Sequence, residues 1–130
     1  MKELDFQTKF TRWAKYNLPV STACELKITN GPSLPFDSVA DHQLIALKLA
    51  KGSSGAGYKI PDCGISAKPF DFFFLIRAHA YIVVMFYKRA QKEFFVIDVD
   101  AWEKETLSSD RKSLTEDRAR EICEYVGLLA

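Results

Sequence analysis

Phe6, Phe10 and Trp13 fall at i, i+4 and i+7, which predicts an amphipathic helix with one aromatic stripe over residues 3–16. Asn17-Leu18-Pro19 ends it, because the residue before a proline is pushed out of helical geometry. Residues 20–29 read as a strand, with Ala23, Glu25 and Lys27 on one face and Cys24, Leu26 and Ile28 on the other. That alternation makes only the second face core. After a turn at Asn30-Gly31-Pro32-Ser33, Asp37-Ser38 is the expected N-cap of a helix running to Lys51, with Gly52 as its stop. Residues 51–68 are rich in glycine, proline and serine and read as a loop that packs little of its own.

Three apolar and β-branched runs follow, over residues 71–76, 80–88 and 93–99, with breaks short enough for hairpins. The unbroken apolar run from Tyr81 to Tyr87 predicts a central strand covered on both faces. Ser113-Leu114-Thr115-Glu116 has the capping-box pattern of a last helix, to about Val126 with Gly127 behind it. Helix, strand, helix, three strands and helix make one α/β (α+β) domain over residues 1–130, a central mixed sheet flanked by helices.

Composition narrows this picture. The aromatic content of 13% and the large apolar fraction favour a folded core, and no apolar run is long enough for a membrane span. Lys2, Glu3 and Asp5 precede any apolar segment, so no secretory signal is expected. Cys24, Cys63 and Cys123 are too widely spaced for a disulfide framework or a zinc site, which fits a reducing, cytoplasmic setting. The formal charge of +1 argues against nonspecific coating of nucleic acid. The basic residues are uneven, however: Lys48, Lys51, Lys68 and Arg77 fall in a middle third with few acids and could face DNA.

Glu25 and Lys27 carry the candidate chemistry. Two apart on a strand, they leave from the same face, where a carboxylate can bind a hard divalent metal and an ammonium can orient water and offset phosphate charge. An exposed ion pair, or a charge guarding an edge strand, would look the same. Asp98 and Asp100 have a similar spacing but sit at a strand end, where they are expected to cap the helix containing Trp102. Trp13 and Trp102 are read as core, and Gly52 to Gly57 lacks the Gly-Lys-Ser/Thr of a phosphate-binding loop.

The Glu-x-Lys of Glu25 and Lys27, the Pro35-Phe36 pair, and a helix carrying His42-Gln43 resemble the RecU-type Holliday-junction resolvases of the PD-(D/E)XK nuclease superfamily. The resemblance implies a restriction-endonuclease-like core and a Mg²⁺- or Mn²⁺-dependent endonuclease acting on branched DNA as a homodimer. It makes Glu25 a metal ligand, Lys27 the catalytic lysine, and Gln43 a partner of water or phosphate. His42 is then a support residue, and Glu3 corresponds to a helix-borne acid. The family's upstream aspartate has no counterpart between the first helix and Glu25. Two downstream residues can replace it: Asp71, which opens a strand, and Asp62, framed by proline and glycine as turn residues are. Asp71 is preferred, and it must then lie within one ion's reach of Glu25. Loss of the acid would instead leave a noncatalytic nucleic-acid-binding or assembly module on a degenerate nuclease fold. A single-strand or RNA nuclease of the same fold would differ only in substrate.

Overall fold

The computed structural model describes residues 1–61 and 68–129. Helix α1 (Glu3–Asn17) leads into β1 (Thr22–Thr29), then short β2 (Ser33–Pro35), a 3₁₀ turn (Phe36–Ser38) and α2 (Asp41–Lys51). Strands β3 (Ala56–Lys59), β4 (Phe72–Leu75), β5 (His79–Phe86) and β6 (Glu93–Asp98) come next. Helix α3 (Val99–Ser108), β7 (Ser113–Thr115), α4 (Glu116–Ile122) and β8 (Tyr125–Leu128) complete the described chain.

The central sheet is mixed and has the order β1-β5-β6-β8. Strand β5 pairs in parallel with β1, placing Glu25 beside Ile82, and antiparallel with β6, which pairs antiparallel with β8. Central β5 is buried from Ala80 to Phe86, as its unbroken apolar run demands. One face carries Leu26, Tyr81, Val83, Met85, Phe94 and Val96 against Phe6 and Phe10 of α1. The other carries Ile82, Val84, Phe95 and Ile97 beneath Leu47 of α2, Trp102 of α3 and Ala119 of α4. The expected alternation in β1 holds, since Cys24, Leu26 and Ile28 pack on the α1 side. The opposite face is not open, however: Ala23 packs against the second core, and Glu25 and Lys27 share that half-covered side.

Several local expectations are corrected. Asp37 and Ser38 form the 3₁₀ turn, and α2 starts later, with Ala40 as its N-cap. Alanine has no side-chain acceptor; instead the Ala40 N–H donates to Gln43 Oε1 at 3.0 Å. The loop expected over residues 51–68 contains β3, which pairs antiparallel with β4 in a separate two-stranded sheet. Glycine hides this strand, because Gly55 and Gly57 provide room for aromatic rings from β4 rather than apolar side chains of their own. Strands β4 and β5 consequently make no hairpin. Arg77 turns the chain with φ of 50°, and its N–H donates to Gly52 O while that of Ala78 donates to Ala50 O. These bonds root the small hairpin on the end of α2.

At the other end of the chain the helix is shorter than its pattern suggests. Thr115, rather than Ser113, is the N-cap of α4 and accepts from the Arg118 N–H, while Ser113 to Thr115 pair with β2. Gly127 is no helix stop but a residue of β8 opposite Phe94. Asp98 caps α3 by accepting from the Asp100 N–H, as expected.

Candidate functional site

Strand alternation sends Glu25 and Lys27 out of β1 on the α2 side, and the chain reversal through β2 brings the first turn of α2 over them. Gln43, the third residue of that helix, donates from Nε2 to Glu25 Oε1 at 3.0 Å. Lys27 Nζ lies 3.3 Å from the same oxygen. The side chains are 17% exposed for Lys27 and 26% for Glu25, so the pair is screened far less than a surface ion pair. The amide of Gln43 is fixed at both ends: its oxygen accepts the Ala40 N–H, leaving its nitrogen to face the carboxylate. The first turn of α2 adds the positive end of a helix dipole, which favours a carboxylate there.

Strand β1 is an edge of the central sheet, paired only with β5 within it. A ligand can approach the Glu25 carboxylate from the edge without parting two strands. The arrangement presents one carboxylate beside an ammonium, both preset by packing. It can hold one oxygen-ligated cation or meet a phosphate, depending on which of the two charges the ligand engages.

The remaining sequence-expected residues are not brought to this point. His42 neighbours Gln43 on α2 and is exposed. Glu3 belongs to α1, which covers the opposite face of the sheet, because its aromatic stripe needs the Leu26 side. Asp71 stands at the outer end of the β3–β4 hairpin, where its carbonyl accepts the Ile60 N–H. Its carboxylate is 87% exposed and pairs with Lys68 at 3.2 Å. The hairpin is rooted at the far end of α2 from Gln43, an axial separation of about 11–14 Å at 1.5 Å per residue. Among the described residues no group of three or more His, Cys, Asp and Glu side chains converges as a metal site. Asp62 lies outside the described residues.

The basic residues expected to face DNA are mostly engaged within the chain. Lys48 binds both carboxylate oxygens of Glu103, tying α2 to α3. Lys51 reaches Asp98 at 2.9 Å and Asp100 at 2.5 Å. Burial pulls the Lys51 ammonium pKa down, but hydrogen bonds and charge from Asp100 and Asp98 outweigh it and leave the value raised. Lys68 is held by Asp71, whereas Arg77 is exposed. The capping role of Gln43 escaped the sequence reading because its partner, Ala40, carries none of the usual N-cap chemistry. No helix among the described residues is long and apolar enough to cross a membrane. No protein-family model, curated protein or solved structure matches the chain.

Proposed function

We propose that the chain is a metal-dependent endonuclease with a restriction-endonuclease-like core, cleaving phosphodiester bonds in branched DNA. The observation that supports this most is the convergence of Glu25, Lys27 and Gln43 from β1 and α2 on one carboxylate oxygen. With the single Glu25 carboxylate at the site, the reading requires a magnesium or manganese ion held mainly by its substrate, since Mg²⁺ is often bound through one or two carboxylates together with phosphate oxygens and water. When bound, such an ion polarises phosphate and lowers the pKa of attached water. Glu25 offers the protein oxygen, Gln43 fixes its direction, and Lys27 sets a positive charge where negative charge accumulates on the phosphate. Asp71 is left out of this donor set, since it stands with Lys68 on the separate hairpin.

A noncatalytic nucleic-acid-binding or assembly module is the second reading. The single carboxylate at the site favours it, as does the position of Lys27 on an edge strand, where lysine also discourages strand pairing. Incubation of labelled four-way, duplex and single-stranded DNA with Mg²⁺ or EDTA separates the two. Metal-dependent cleavage that disappears in Lys27→Ala supports the nuclease, and DNA binding without cleavage supports the module. A homodimer working on paired DNA sites belongs to the nuclease proposal, and its test is the sedimentation mass of the free chain.

A further inference from the structure

The β3–β4 hairpin turns large apolar side chains outward. Phe72 and Phe74 are 58% and 54% exposed, flanked by Phe70 at 54% and Ile76 at 43%. Isolated exposed apolar residues are ordinary, but this is a contiguous stripe on one small element. The two central rings are not dangling. A Cβ at Gly57 would stand 2.6 Å from Phe72 Cζ, and one at Gly55 would stand 2.6 Å from Phe74 Cζ. Each ring therefore rests its outer edge in the space a glycine leaves, with more than half of the side chain open to solvent. On the opposite side of the hairpin Tyr58, itself 44% exposed, meets Phe73 with ring centroids 6.0 Å apart.

Among the described residues, the exposed acid beside these rings, Asp71, is paired with Lys68, and the other charges are cationic. Lys59 is the register partner of Phe72 and shares its side of the hairpin. Arg77 is exposed directly beyond Ile76. The face positions Gly57, Lys59, Phe70, Phe72, Phe74 and Ile76 include no acid. Half-exposed rings of this size present roughly 400 Å² of apolar surface in total. In a two-fold contact this face would set Lys59 and Arg77 against their own copies, so its charge suits an anionic partner better than a second copy of the chain. Alternate residues on a strand are about 6.8 Å apart, twice the ~3.4 Å step of stacked duplex bases. Two rings at that spacing suit two unstacked bases, and a duplex cannot reach them.

We propose that this face is a stacking platform for an unpaired nucleic-acid strand, with Phe72 and Phe74 each taking one base and Lys59 and Arg77 meeting phosphates. The partner class rests on the nucleic-acid reading of the Glu25 site, but the platform is a separate surface and is tested without cleavage. Branched DNA offers such unpaired bases where its arms meet.

The test is fluorescence anisotropy in EDTA with a labelled twelve-nucleotide oligothymidine and with a duplex of the same length, using the full chain. The expected result is preference for the single strand, weakened about fivefold or more by Phe72→Ala or Phe74→Ala, since one base–aromatic stack contributes ~1–3 kcal/mol. Phe72→Leu should weaken it similarly, because it keeps apolar bulk but loses the ring, and Phe72→Trp should retain it. Unchanged melting temperatures show that these exposed substitutions leave the fold intact. No binding by the wild type, or binding by Phe72→Leu equal to wild type, overturns the platform. So does a wild-type dimer that Phe74→Ala splits without altering oligothymidine binding, which would assign the face to a second copy. Absent cleavage with intact, ring-dependent binding counts only against the nuclease reading, and cleavage without ring-dependent binding counts only against the platform.

Discussion

Replacing Gln43 tests whether the carboxylate site is held as described. Gln43→Ala removes two hydrogen bonds, one from the Ala40 N–H and one to Glu25, each 3.0 Å long. The first contributes about 1 kcal/mol, and the second, made to a charged group, about 1.5 kcal/mol at the lower end of its range because the carboxylate keeps some water. Their sum is roughly 2–3 kcal/mol. With an unfolding entropy of about 2.1 cal/mol/K per residue over 130 residues, that lowers the melting temperature by about 7–11 °C. Gln43→Glu separates the two contributions. A glutamate at this position can still accept the Ala40 N–H, but it sets a second carboxylate against Glu25. One of the two then has a raised pKa in the folded state, so the penalty is present near neutral pH and disappears as pH falls through that value. Urea unfolding from pH 4 to 8 should show the Glu variant approaching wild type only at the acid end. If both variants stay within about 0.5 kcal/mol of wild type at every pH, Gln43 does not hold Glu25 and the geometry is wrong.

Three further outcomes follow from the packing. Gly127→Ala should cost about 1–3 kcal/mol in urea unfolding with an unchanged m-value, because its Cβ would collide with the Phe94 ring, even Cε1 lying only 2.8 Å away. Phe94 is fully buried against Phe6, Phe10 and Trp13 and has nowhere to move; wild-type stability in the variant would show that it does. Burial pushes the Cys24 thiol up to about 12, so in a Cys63→Ser, Cys123→Ser background it should resist a disulfide reagent at pH 8 until urea is added, and fast labelling of the native chain would contradict its burial. The Arg118 hydrogen bonds hold the Glu105 carboxyl below its ordinary value despite burial. That contribution is complete above the unfolded pKa of about 4.3 and is lost as pH falls through the folded value. Glu105→Gln should therefore flatten the acid limb of the stability profile, and superimposable limbs would remove the pair from the account.

The sequence was most legible where one periodicity met one core. The stripe of α1 and the unbroken run of β5 each answer to a single packing surface, and both elements lie where the pattern puts them. It was least legible where partners are distant or side chains are missing. Strand β3 carries Gly57 at a position that takes the Phe72 and Phe74 rings, so the apolar alternation that marks a strand sits on its partner instead. Strand β8 was hidden in the same way, with Gly127 beneath Phe94 imitating a helix terminator. At the site, strand alternation was enough to unite Glu25 with Lys27, and the Gln43 amide reaches the same carboxylate from α2, a contact no local pattern specifies. No local pattern specifies which sheet a strand joins. The apolar segment after Asp71 therefore suggested a rigid strand but not the separate hairpin that carries Asp71 to Lys68.

The most direct measurement is cleavage of an end-labelled four-way DNA junction by the full chain, with Mg²⁺ or EDTA, beside Lys27→Ala and Glu25→Gln variants that melt as folded proteins. Cleavage that requires Mg²⁺ and is abolished in both variants is the predicted result. No cleavage by the wild type, or metal-dependent cleavage that survives Lys27→Ala, would contradict the assignment of Glu25, Lys27 and Gln43 as a nuclease centre.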